Sequence, residues 1–315
     1  MSQKEPRINL KEDEYISEDP PYTQEDETGT ELDDTEEENN CVFRDGVPEP
    51  IEINIRDLAH RLWSDDSEID FPAILVASPR RSGKSWFIKH LLYWMDEYPK
   101  GKYDACFLYS GSSFNNQWSC FPKRFQFFDW TEKNAAHLQS ILRNQKRLIE
   151  EDENKDQPTG KTPTVFVLLD DIMTGEGNLW QGLRGRVLQQ CYTMGRHCKV
   201  CVITIVQRLR AFSALRGNSD ALILFRETNR NIRKAIIEEH MSCEESTEIG
   251  VFRRAETFYE RCFKSKHHAL VLDLAGSRGA KSLIQYCYSC KAPEEECPEF
   301  YLSPEHHWRQ DPKTA

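Results

Sequence analysis

Apolar positions along this chain fall into short runs separated by stretches of helical periodicity. Residues 71–77 (FPAILVA) are a short apolar run ending in a Pro-Arg-Arg-Ser-Gly turn. Over 85–98, Phe87, Leu91 and Trp94 fall on one face at helical spacing. The alternation continues with a strand-like segment at 103–109 and a long charged helix over 131–151. A polar loop over 152–163 holds two prolines and a glycine. Residues 164–169 (TVFVLL) read as a strand closed by Asp170 and Asp171, 179–194 as a helix, and 199–206 (KVCVITIV) as a β-branched strand. A further strand at 221–225, helices at 231–240 and 244–261, and strands near 269–274 and 282–288 complete the pattern. Strands alternating with helices predict an α/β fold with a mainly parallel central sheet flanked by helices.

Composition narrows the class. Of 315 residues, 38% are hydrophobic and 11% aromatic, which supplies a core and excludes fibrous or wholly disordered chains. No apolar run approaches the roughly 20 residues of a membrane-spanning helix, and no apolar stretch follows the first residues as a secretory signal would. Neither membrane insertion nor secretion is expected. The net charge of −11 is unevenly placed. Residues 1–40 hold 15 of the 52 acids and 3 of the 41 bases, leaving 37 acids and 38 bases in the rest. The segment 1–45 therefore reads as a disordered acidic tail, 46–292 as one catalytic domain and 293–315 as an extension. The tail is either a solvating segment or an electrostatic competitor for a basic surface. Eleven cysteines, an odd number, read as reduced thiols.

The turn after the first strong strand carries candidate chemistry. Ser78, Pro79, Arg80, Arg81, Ser82, Gly83, Lys84 and Ser85 match the phosphate-binding loop G-x-x-x-x-G-K-[ST], with Ser78 in place of the first glycine. Gly83 lets the backbone approach phosphates, and the N–H groups of the helix that follows, Trp86 included, face them. Lys84 places a point charge on the β- and γ-phosphates, and the Ser85 hydroxyl ligates Mg²⁺. The strand ending in Asp170 and Asp171 supplies the second element. Asp170 would hold the Mg²⁺ shell, and Asp171 would orient and deprotonate the attacking water. Gln207 ends the strand 199–206. If that strand lies between the other two, its amide reaches both water and γ-phosphate. Together these features predict a P-loop NTPase with ATP and Mg²⁺ as cofactors.

The runs GRHCKVCVITIVQ (195–207) and LRGNSDALILFRE (215–227), with ASPRRSGKS and FVLLDD, resemble the FtsK/HerA-type genome-packaging ATPases of large double-stranded DNA viruses, the poxvirus and polinton enzymes among them. The resemblance covers about residues 70–290. It implies an ASCE-type P-loop NTPase fold, ATP hydrolysis, a homo-oligomeric ring, and translocation of double-stranded viral DNA into a capsid. Its implied partners are that DNA and capsid portal or vertex proteins, at a virion assembly site in the host nucleus or cytoplasm and in association with the virion. Ser78 and the acidic tail depart from the family pattern.

Arg196 lies three residues before the strand ending at Gln207. A strand of that length spans roughly 25 Å. Arg196 therefore sits at the opposite sheet edge from its own γ-phosphate and can act only on a neighbour's ATP, as an arginine finger in trans; the matching position in the resembling family has that role. Arg216 is the rival, and a surface arginine at a helix end is the plain alternative. Arg226, Arg230, Arg233, Lys234, Arg253, Arg254 and Lys264 to Lys266 either line a DNA pore or cover solvated helix faces. Cys287, Cys290 and Cys297 with His306 or His307 form a candidate Cys₃His zinc set. The competing functions are a nucleotide-switched assembly adaptor with little hydrolysis and a non-packaging DNA translocase or helicase.

Overall fold

The computed structural model describes residues 47–111, 116–173, 180, 182–207, 213–241, 249–265, 267–277 and 282–302. The acidic tail, Lys266, His306 and His307 lie outside them. In chain order the elements are β1 (Ile51–Asn54), α1 (Ile55–Trp63), β2 (Ala73–Ala77), α2 (Lys84–Met95), β3 (Ala105–Ser110), β4 (Gln126–Phe128), α3 (Glu132–Glu153) and β5 (Val165–Asp170). They continue with α4 (Gly182–Met194), β6 (Val200–Val206), α5 (Ser213–Arg216), β7 (Ala221–Phe225), α6 (Arg230–His240), α7 (Ile249–Arg261), β8 (His268–Asp273) and β9 (Cys287–Lys291).

All nine strands join one sheet in the order β1-β9-β8-β7-β2-β6-β5-β3-β4. Among the described strands β8 alone runs against its neighbours, pairing antiparallel with β7 and β9. The predicted mainly parallel α/β fold is therefore the observed one. Strands β2, β5, β6 and β7 are buried at every position, which explains why they read as unbroken apolar runs rather than alternating ones.

Each central strand feeds two cores by its two-residue period. Leu75, Val167, Leu169, Val202 and Leu222 pack with Leu138, Leu188 and Phe258 from α3, α4 and α7. Ile74, Val76, Leu168, Ile203 and Ile223 pack on the other face with Leu58 and Leu62 of α1 and Phe87 and Leu91 of α2. No helix among the described residues is long and apolar enough to cross a membrane.

Three local differences from the sequence reading have physical causes. The unit β1–α1 and the short β4 are not among the predicted elements. β1 is four residues long, too short for its Ile-Glu-Ile-Asn alternation to mark a strand by itself. Asn54 caps α1 by accepting the Asp57 N–H (2.8 Å). The strand expected at 282–288 starts later, at Cys287, because Ser282 and Gln285 form a capping box around a short 3₁₀ turn.

That register corrects the zinc set. Cys287 and Cys290 are three apart in one strand, so they point to opposite faces of the sheet, Cys287 into one core and Cys290 into the other. Cys297 instead places its thiol against the Lys89 carbonyl (3.7 Å). The three sulfurs do not converge on one ion. The nine described cysteines are all free and buried.

Helices α5 and α6 are joined by an ion pair between the buried Arg216 and the exposed Glu239 (2.9 Å). His240 follows Glu239, and its side chain is largely covered. Burial first, and the Arg216 charge second, push its imidazole down from 6.5 to about 4, so it is neutral in the fold. The unfolded chain takes up a proton near pH 6.5 that the fold refuses until about pH 4. The stability this group contributes is thus complete above pH 6.5 and is lost on acidification toward pH 4. Between pH 7 and pH 4.5, urea denaturation should show the wild-type chain losing more stability than His240→Leu, by on the order of 2–3 kcal/mol. An equal loss in His240→Leu would remove the role given to this imidazole.

Candidate nucleotide-binding site

Parallel pairing places the carboxyl ends of β2, β6 and β5 side by side, with β6 between the other two. The condition set on Gln207 is therefore met. From β2 the chain turns through Ser78 to Gly83 into α2. Ser78 is buried, its N–H donates to the Val206 carbonyl (3.1 Å), and its hydroxyl bonds the Pro79 carbonyl (2.9 Å) and the Ser82 hydroxyl. The side chain that replaces the usual glycine is thus spent on bracing the loop from within.

Gly83 caps α2 in the left-handed region (φ 91°), which costs a glycine little, and offers no side chain to the first free amides. The first helical bond is Phe87 N–H to Gly83 O (2.9 Å). The N–H groups of Lys84, Ser85 and Trp86 therefore stand outside the helix ladder, an anion-binding end without a carboxylate in its first turn. The Trp86 indole itself is turned to the Pro293 carbonyl (Nε1 to O, 2.8 Å).

Asp170 closes β5 and is buried. Trp118 Nε1 (2.8 Å) and Gln117 Nε2 (3.1 Å) both donate to its Oδ2. Burial raises its pKa most, and adjacent Asp171 adds to the rise; Trp118, Lys84 and Gln117 oppose it. A desolvated carboxylate of this kind is one a divalent cation would favour in its charged form. With the Ser85 hydroxyl it would offer oxygen donors of the kind Mg²⁺ takes. Both protein bonds fall on one carboxylate oxygen and so fix the orientation of the other.

Asp171 adopts φ 49°, an uncommon conformation for aspartate, with its N–H on the Ile205 carbonyl (3.2 Å). Its Oδ2 accepts from Gln207 Nε2 (2.7 Å), and Gln207 Oε1 accepts from Arg80 Nε (2.8 Å). Arg80, Gln207 and Asp171 thus form one chain of hydrogen bonds from the loop across β6 to the acidic strand. Of the sequence candidates, the structure brings Ser78 to Ser85, Asp170, Asp171 and Gln207 to one edge.

Arg196 stands elsewhere, at the opposite end of β6, exposed, with its Nε donating to His197 Nε2 (3.4 Å). A Cβ at Gly195 would meet the Cys191 carbonyl, so the tight turn that presents Arg196 needs glycine there. Arg216, its rival, is held inside its own chain by Glu239.

Gln117 and Trp118 were not foreseen. They lie 53 and 52 residues from Asp170 in a stretch with no periodicity. An indole after a polar run was the one available signal. The proposed DNA-facing cations are mostly paired already. Arg226 and Arg233 meet Glu260, Lys234 meets Glu238 and Lys264 meets Glu52. Arg253 and Arg254 are exposed on α7.

No protein-family profile matches the chain. It is 26% identical over 167 residues to an uncharacterized protein of Acanthamoeba polyphaga mimivirus, 52% of this chain and 56% of that protein. The chain thus spans little more than half the length of that curated relative. Among solved structures it is similar to the genome packaging NTPase of Sulfolobus turreted icosahedral virus 2 bound to AMPPCP. That likeness has a TM-score of 0.47 and 15% identity over 72% of this chain and all of that one. It is also similar to ATPases 2 and 3 of EssC from Geobacillus thermodenitrificans, with TM-score 0.46 and 13% identity over 72% of this chain and 41% of that one.

Trp118→Phe keeps the buried ring but removes one of the two donors to Asp170. Calorimetric titration should show Mg²⁺-dependent nucleotide binding weakened about tenfold, the usual scale for a group that orients a metal ligand. Binding of nucleotide without Mg²⁺ should be unchanged.

Proposed function

We propose that this chain is a Mg²⁺-dependent ATPase that works as a motor on double-stranded DNA in viral genome packaging. The observation that supports it most is the hydrogen-bonded chain from Arg80 through Gln207 to Asp171 beside the buried Asp170. It couples a phosphate-binding loop to an acid pair, which a simple nucleotide-binding module does not need.

On this reading the Ser78–Ser85 loop binds the triphosphate, and Lys84 neutralises the β- and γ-phosphates. Ser85 and Asp170 would hold Mg²⁺, which supplies charge for the transferring phosphoryl group. Asp171 orients the attacking water and accepts its proton. Gln207, bonded to both loop and Asp171, shifts when the γ-phosphate leaves. Arg196 acts on the ATP of the next subunit in a ring, since within its own chain it lies at the far sheet edge. The ring would dock on capsid portal or vertex proteins at the site of virion assembly.

Turnover measured with and without duplex DNA tests this directly. Lys84→Ala should lose nucleotide binding. Asp171→Asn should bind normally and turn over at least about 10²-fold more slowly. Arg196→Ala should also bind normally, with turnover down by about 10³-fold or more. Normal turnover in Arg196→Ala would remove the role in trans. Turnover indifferent to duplex DNA in an oligomeric sample would favour the assembly adaptor.

A further inference from the structure

The sheet order fixes which way a nucleotide must lie, and this inference rests on the nucleotide reading above. Asp170, Asp171 and Gln207 end β5 and β6, on one side of the loop. A γ-phosphate facing them leaves the nucleoside to run the other way, toward β7, β8 and β9.

The reversed strand β8 makes that side unusual. Ala77 is level with Leu224, and Leu224 with Leu270, so the start of β8 lies at the same edge as the loop. His268 pairs with Lys291, so the end of β9 opens there too. Two ring-bearing side chains meet the loop at this place. The His267 Nδ1 lies 3.9 Å from where a Cβ on Gly83 would stand, and the imidazole is exposed. Trp86, in the first turn of α2, is 36% exposed, unusual for an indole beside so deep a core.

The Trp86 ring is held in place, and so is the backbone that carries His267. The Trp86 Nε1–H is fixed on the Pro293 carbonyl, and its ring lies 5.2 Å from that of buried His90. The His267 carbonyl accepts the Ala292 N–H (3.0 Å). The segment that carries Pro293 continues over α2, where Phe300 meets Tyr93 edge-on and the Leu302 N–H reaches the Cys120 carbonyl (2.8 Å).

We propose that Trp86 and His267, braced by the 292–302 segment, form the seat for the nucleoside end of the bound nucleotide, with the indole face stacking on the base and the imidazole beside the sugar–α-phosphate junction. Stacking is tolerant of base identity because every base presents a π-face. The seat therefore adds affinity without strong preference for adenine over guanine.

The test compares Mg·ATP with Mg·tripolyphosphate, which has the phosphates but no nucleoside, by calorimetric titration of the full chain. Trp86→Ala is expected to weaken ATP about tenfold, on the order of one base–aromatic stack, and to leave tripolyphosphate unchanged. Trp86→Phe, which keeps a stacking ring and loses the bond to Pro293, should stay within about threefold of wild type for ATP. His267→Ala should lower ATP affinity more than tripolyphosphate affinity. Equal loss of both ligands in Trp86→Ala, or no loss of either, overturns the seat while the phosphate site stands. Failure of the wild-type chain to bind either ligand overturns the nucleotide reading itself.

Discussion

Burying the Asp170 carboxylate at the carboxyl edge of a parallel sheet is the constraint around which this site is built. A carboxylate in that position is unfavourable unless bonds and cations compensate it. The compensation comes from two directions: an indole and an amide from the stretch after β3, and the ammonium of Lys84 at the start of α2. The parallel register of β2, β6 and β5 is what brings them together, because a shift by one residue would turn Asp170 to the opposite face. Fold and site are in this sense one arrangement.

The sheet was legible where strands are buried on both sides. Segments such as AILVA, VFVLLD and VCVITIV have no reason to be apolar throughout except double coverage, and they are β2, β5 and β6. The loop and the acid pair were legible because their chemistry requires residue types at fixed spacing. Elements at the sheet margin were not, since β1 and β4 are short and partly exposed, and their pairing partners decide them. Gln117 and Trp118 were hidden for a different reason: hydrogen bonds across more than fifty residues leave no periodic trace. The cysteine set misled because C-x-x-C spacing suits a metal knuckle but, in a strand, separates the sulfurs across the sheet.

Charge tells a similar story of local context overriding composition. Several cations that looked available for a polyanion are matched by acids on adjacent elements. Glu260 alone receives both Arg226 and Arg233. Exposed pairs of this kind contribute little to stability, and salt screens them. They nonetheless lower the net positive potential that α6 presents. Grip on a nucleic acid, on the motor reading, would then draw on residues such as Arg253 and Arg254.

The flank of the sheet has a kinetic side. β1 pairs with β9, although almost the whole described chain lies between them in sequence. Closing so long a loop is entropically slow and gains nothing until β7, β8 and β9 are already stacked in order. The β9–β1 pairing therefore closes late, after the strands it rests on. Hydrogen exchange would find its amides among the least protected of the sheet, while β2, β5 and β6 keep their protons longest.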